Sequence, residues 1–135
     1  MDTPDSSTPL VAIVDDEQDI VTYLRLALED HGYRVMAITE SSTAIERLNA
    51  ADPDFICLDL LMPRHTGVAL YGEIVHSPDL ENCSVLIMSG LAQKEELANL
   101  LERAGGLPEP DRFLEKPIRI KQLLEALSEL EGADT

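Results

Sequence analysis

Leu10-Val11-Ala12-Ile13-Val14, followed at once by Asp15-Asp16-Glu17, is the stretch that decides the fold. A strand with water on one face alternates apolar and polar residues. An unbroken, mostly β-branched run of this length instead reads as a strand covered on both faces, the kind found in parallel sheets. Beyond the acidic triplet the apolar period changes from strand to helix. Ile20, Leu24, Ala27 and Leu28 share one face of a helix over residues 17–31, and Gly32 is a natural stop.

The same unit then recurs. Residues 33–38 read as a second strand. Residues 42–50 read as a helix capped by Ser41 or Ser42, with Ala44, Ile45 and Leu48 inward and Pro53 as the break. Phe55-Ile56-Cys57-Leu58 is a third strand that ends in Asp59, and Met62 to Gly67 is loop by composition. A helix over 68–75 closes at Ser77-Pro78. Val85-Leu86-Ile87-Met88 is a fourth strand ending in Ser89-Gly90. Leu97, Leu100, Leu101 and Ala104 mark a helix face, 105–110 a loop, and 112–115 a short fifth strand. Ile120, Leu123, Leu124 and Leu127 restore helix spacing to the end. Five such units predict an α/β protein with three layers, a doubly wound five-stranded parallel sheet with right-handed crossovers. In such sheets ligands bind beyond the carboxyl ends of the strands.

Composition narrows the function. The 135 residues include 26 acidic and 10 basic ones, for a formal net charge of −16. That balance argues against nucleic acid, whose phosphates need a cationic footprint, and against an anionic membrane surface. Aromatic residues make up 4% with no Trp, so a stacking platform for single strands is not expected either. No apolar run approaches the ~18 residues of a membrane span. Cys57 and Cys83 lie in apolar runs without a paired spacing, which reads as core thiols and a cytoplasmic setting rather than a disulfide or metal framework. Residues 1–9 read as a disordered leader, 10–131 as one domain and 132–135 as a disordered tail.

The polar residues at strand ends carry the chemistry. Asp15, Asp16 and Glu17 follow strand one, Asp59 strand three, Ser89 strand four and Lys116 strand five. Taken singly these are ordinary: an acidic pair after a strand is a common helix N-terminus, and a lone lysine is usually solvated. Together they are not. Two like charges about 4 Å apart repel by about 4 kcal/mol at an effective dielectric of about 20, so neighbouring carboxylates must take up protons or hold a cation. The ligands are hard oxygens, which suits Mg²⁺ with open positions for phosphate oxygen. Lys116 adds a positive charge and Ser89 a hydroxyl. Carboxylates, a Mg²⁺ site, a lysine and a hydroxyl describe phosphoryl transfer, with Asp59 as nucleophile.

This constellation resembles the receiver domain of two-component response regulators. The residues that carry the likeness are Asp15-Asp16, Asp59-Leu60-Leu61-Met62-Pro63, Gly67, Ser89-Gly90 and Lys116-Pro117. The resemblance implies a flavodoxin-like fold with strand order 2-1-3-4-5. It implies that Asp59 accepts a phosphoryl group from a histidine kinase or histidine phosphotransfer protein. Asp16 would ligate Mg²⁺ directly, Asp15 through water, and the Leu61 carbonyl would complete the protein ligands. Ser89 and Lys116 would bind the phosphoryl oxygens. Pro117 falls where the family often has a cis peptide. Ser89 and Phe113 would form the switch, and Leu61 and Leu91 would flank the attacking water and slow phosphoryl loss. The face of the fourth helix, fifth strand and fifth helix would bind an output protein or support relay, in a monomer or a weak homodimer. Such a protein catalyses its own phosphorylation and dephosphorylation rather than turning over external substrates. A chain of this length is expected to hold a receiver and no effector.

Two other functions fit less well. A Mg²⁺-dependent phosphatase with an aspartate nucleophile usually places that residue after the first strand within a DxD pattern, whereas Asp15-Asp16-Glu17 stands here. A receiver-like module that binds without phosphorylation would not need the full set of site residues. One departure from the family is the length between Ser89 and Lys116, with the extra residues expected at Gly105 to Pro110.

Overall fold

A computed structural model describes residues 8–90 and 94–133. Its elements are β1 (Leu10–Val14), α1 (Gln18–Asp30), β2 (Arg34–Ile38), α2 (Ala44–Ala51), β3 (Phe55–Asp59), α3 (Thr66–Val75), β4 (Ser84–Ser89), α4 (Lys94–Arg103), β5 (Arg112–Glu115) and α5 (Ile120–Ala133). The strands form one parallel sheet in the order β2-β1-β3-β4-β5, as expected.

The unbroken apolar runs are explained by the pleat, which sends successive side chains to opposite faces. Ala12 and Val14 of β1, Ile56 and Leu58 of β3, and Val85 and Ile87 of β4 join one core with α2, α3 and α4. Val11 and Ile13, Phe55 and Cys57, and Leu86 and Met88 join a second core with α1 and α5. Each of these three strands serves two cores, so neither of its faces can be polar.

The helices deviate from expectation in detail. Val21 joins Leu24 and Leu28 in the buried stripe of α1, while Ile20 and Ala27 stay half-exposed at its edges. In α2 the predicted serine cap is absent: Ser41–Thr43 form a 3-10 turn and Thr43 stands at the N-cap without a side-chain bond. The Met62–Gly67 segment is not all loop, because Pro63–His65 form a 3-10 turn and α3 begins at Thr66. Gly67 therefore lies in a helix, and a close approach explains it. A Cβ there would collide with the carbonyl oxygens of Asp59 and Leu60. Glycine lets the first turn of α3 sit directly against the end of β3.

The edges of the domain also shift. Thr8 and Pro9, assigned to the leader, are tied down: their carbonyls accept hydrogen bonds from the Arg34 Nε and backbone N–H at 2.9 and 3.0 Å. At the other end α5 continues through Gly132 and Ala133, both assigned to the tail. Residues 1–7, 134 and 135 lie outside the described residues. No helix among the described residues is long and apolar enough to cross a membrane.

The long segment after α4 folds back as a strap. Gly105 and Gly106 take positive φ, which turns the chain at the end of the helix, and the Leu107 N–H returns to the Leu101 carbonyl at 3.1 Å. Leu107 then packs beside Gly72 of α3, and the buried Tyr71 hydroxyl donates to the Pro108 carbonyl at 2.7 Å. Burial, with the nearby charges of Asp111 and Glu109, pushes the Tyr71 hydroxyl up to about 12. It remains a donor at neutral pH.

Candidate functional site

The topology brings the strand-end residues to one edge. Val14 is the register partner of Leu58, so the next residues, Asp15 and Asp59, emerge side by side. Both are buried, at 0% and 4% exposure. Ser89 ends β4 opposite Glu115, and the following Lys116 N–H donates to the Ser89 carbonyl at 2.8 Å. β5 lies two strand spacings from β3, about 10 Å, so only a long side chain can reach the acids from there. Lys116 spans it. Its Nζ lies 3.0 Å from Asp15 Oδ2, 3.3 Å from Asp59 Oδ2 and 3.3 Å from Glu17 Oε1. The Lys116–Pro117 peptide is cis.

Backbone donors fix the acids. The Glu17 N–H donates to Asp15 Oδ1 at 3.0 Å, and the Leu61 N–H donates to Asp59 Oδ1 at 3.1 Å. Burial holds the Asp59 carboxyl above the ordinary carboxylate range, and the Asp15 charge pushes it the same way. Lys116 and the Leu61 N–H pull it back only in part. For Lys116, burial works to lower the value, but the hydrogen bond to Asp15 and the charges of Asp15 and Asp59 outweigh it and raise the ammonium. Lys116 is thus a cation, and Asp59 is an acid that gains from anything that supplies positive charge.

The carboxylates that come together are Asp15, Glu17 and Asp59, whose oxygens lie within 4.8 Å of one another. Asp16, expected as the direct ligand, is exposed and outside this cluster. Glu17 was grouped with the strand-end acids by sequence but given no role of its own, and the structure sets it in the cluster. Its one signal was a glutamate at a helix N-cap, where Ser, Thr, Asp or Asn is favoured. The donors are all hard oxygens without His or Cys, and a single ammonium already sits among them. That set fits a hard divalent cation.

The other expected residues divide. Ser89 is buried at the same edge. Leu61 is 47% exposed beside Asp59. Phe113 is half-buried, packs on the first core, and lines a cavity of about 350 Å³ with Leu97, Ala98, Leu101 and residues of the strap. Leu91 lies outside the described residues.

The family model for the response regulator receiver domain matches residues 11–128. The chain belongs to this family. Among curated relatives, this receiver is 32% identical over 85 residues to protein Rrf1 of Nitratidesulfovibrio vulgaris, covering 63% of the chain and 62% of that protein. It is 27% identical over 116 residues to the phosphate regulon transcriptional regulatory protein PhoB of Rhizobium meliloti, covering 86% of the chain and 49% of that protein. The receiver thus spans less than two thirds of either relative. The solved structure of the chemotaxis response regulator CheY4 of Vibrio cholerae shares the fold, with a TM-score of 0.78 at 23% identity, covering 91% of this chain and 98% of that one. The protein is a receiver domain of two-component signalling, and its acidic pocket fits a phosphorylation site with Mg²⁺.

Proposed function

We propose that Asp59 is the phosphoacceptor of this receiver and that a histidine kinase or histidine phosphotransfer protein is the donor. The observation that carries the reading is the Lys116 ammonium, held 3.0 Å from Asp15 and 3.3 Å from Asp59, both buried at the sheet edge. An Asp59 oxygen attacks phosphorus. A P–O bond forms as the P–N bond to the donor histidine breaks, and the imidazole leaves with the electron pair. The Leu61 N–H, which donates to Asp59 Oδ1, fixes that oxygen and leaves Oδ2 to face Lys116. Lys116 and the Ser89 hydroxyl then meet the transferred oxygens, where preorganised positive charge and donors matter most.

Mg²⁺, when bound, supplies charge to the transferring phosphoryl group. Asp15, Asp16, Asp59 and the Leu61 carbonyl would hold it. Phosphorylation adds about 1.5–2 negative charges to the site. Ser89 moves toward the new oxygens, and Phe113 packs into the space it leaves, using the cavity beside α4. Phe113 has no hydroxyl, so packing alone holds its inward state. The face of α4, β5 and α5 is remodelled for an output protein or for relay, by population shift between two packings.

The test is intact mass after acetyl phosphate and Mg²⁺, with wild type and Asp59→Asn side by side. Wild type gains one phosphoryl group and the variant none. An unmodified wild type, or equal labelling of the variant, refutes the assignment. Turnover of a small phosphomonoester would instead favour a phosphatase.

A further inference from the structure

Glu17 stands at the N-cap of α1 and makes no side-chain cap bond. Short polar side chains are favoured there because they reach back to the N–H groups of their own helix. This longer carboxylate goes elsewhere, to within 3.3 Å of Lys116 Nζ. Its own N–H anchors Asp15 Oδ1 at 3.0 Å, so the root of the side chain is fixed beside the site. The tip is not fixed. The Glu17 side chain is 61% exposed, against 17% for Lys116, 5% for Asp59 and 0% for Asp15. Of the four charged groups it alone is solvated well enough to reorient at little cost.

Charge balance shows where it would turn. The cluster of Asp15, Glu17 and Asp59 faces one ammonium, which leaves two negative charges unmatched. A divalent cation closes that balance. A cation held by these oxygens would lie close to the ammonium, which itself stands 3.0–3.3 Å from all three carboxylates, and two positive groups that near repel.

We propose that Glu17 is a positioning residue that pairs with Lys116 in the resting site and turns to the divalent cation when one binds, freeing the lysine for the phosphoryl group. The proposal rests on the receiver reading above and adds to it a hand-over between two positive groups. Because Glu17 gives up one partner to gain the other, its contribution to cation binding is the difference of two interactions. Removing Lys116 removes the competitor and exposes the full contribution.

The experiment is calorimetric titration of MgCl₂ into the whole chain, free of phosphodonor. Glu17→Gln and Glu17→Ser are expected to weaken binding about 3- to 10-fold, as for loss of one part-solvated charge, whereas Asp19→Asn on the same helix stays within about twofold. Ser is a favoured cap, so Glu17→Ser melts no lower than wild type, and its weakened binding is not a folding defect. In a Lys116→Met background the loss caused by Glu17→Gln becomes larger than in wild type. Equal losses in the two backgrounds overturn the hand-over. Glu17 variants that bind like Asp19→Asn overturn any role for Glu17, while the receiver reading stands. A wild type that takes up no Mg²⁺ at millimolar concentration defeats the receiver site itself, and the inference with it.

Discussion

Replacing the central carboxylate is expected to stabilise the fold. Asp59 is 5% exposed in its side chain, sits within 4.8 Å of the Asp15 and Glu17 carboxylates, and lies 3.3 Å from the Lys116 ammonium. At an effective dielectric of about 20, the attraction to Lys116 is about 5 kcal/mol and the repulsion from Asp15 about 3.5 kcal/mol. Exposed Glu17 adds about 1 kcal/mol of repulsion after solvent screening. These charge terms nearly cancel. The cost of taking the carboxylate out of water then decides the sign, and it agrees with the raised position of the Asp59 carboxyl.

Asp59→Asn keeps the shape and removes the charge, so a gain of about 1–2 kcal/mol is expected, allowing for the imperfect fit of an amide beside Lys116. In a chain of this size that raises Tm by ~3–8 °C. The pH dependence has the same origin. The folded protein holds the Asp59 proton more tightly than the unfolded chain does. The Asp59 contribution to stability therefore falls as pH rises from the ordinary carboxylate range through the raised one. The advantage of Asp59→Asn is absent below that window and full above it. Thermal melts without Mg²⁺, at neutral pH and at the acid edge of stability, measure both. A lower Tm for Asp59→Asn at neutral pH would refute the reasoning, because it would mean that the ion pair outweighs desolvation.

Gly67→Ala is expected to cost about 1–3 kcal/mol, read by chemical denaturation, because the new methyl meets the Asp59 and Leu60 carbonyls rather than a flexible side chain. A neutral result would show that α3 can move off β3. Leu61→Asn is expected to speed phosphoryl loss several-fold, since Leu61 is exposed beside Asp59 and an amide can orient the attacking water; a dephosphorylation time course checks it, and an unchanged rate defeats it. Burial pushes the Cys57 thiol up to about 12, so it should resist a thiol reagent at neutral pH until the protein unfolds. Rapid labelling of the native chain at Cys57 would contradict that burial.

The apolar runs and the helix spacings were enough to determine the element order and the parallel sheet, because a strand that serves two cores leaves an unbroken apolar signature. The runs that end in Asp15, Asp59, Ser89 and Lys116 likewise placed the chemistry at one edge. Local pattern could not say which neighbouring acid joins Asp15 and Asp59. Asp16 and Glu17 are alike in charge and adjacent in sequence, and only the path of the folded chain into α1 sets the Glu17 carboxylate with those of Asp15 and Asp59. Gly67 read as loop because glycine is a poor helix residue, yet its reason is a contact with β3 made across the fold. The segment after α4 read as extra length, and only packing turned it into a strap held by Tyr71 and Leu107. Periodicity records how each segment meets the core. The partners of a charge, a glycine or a loop lie on other segments, so tertiary structure alone decides them.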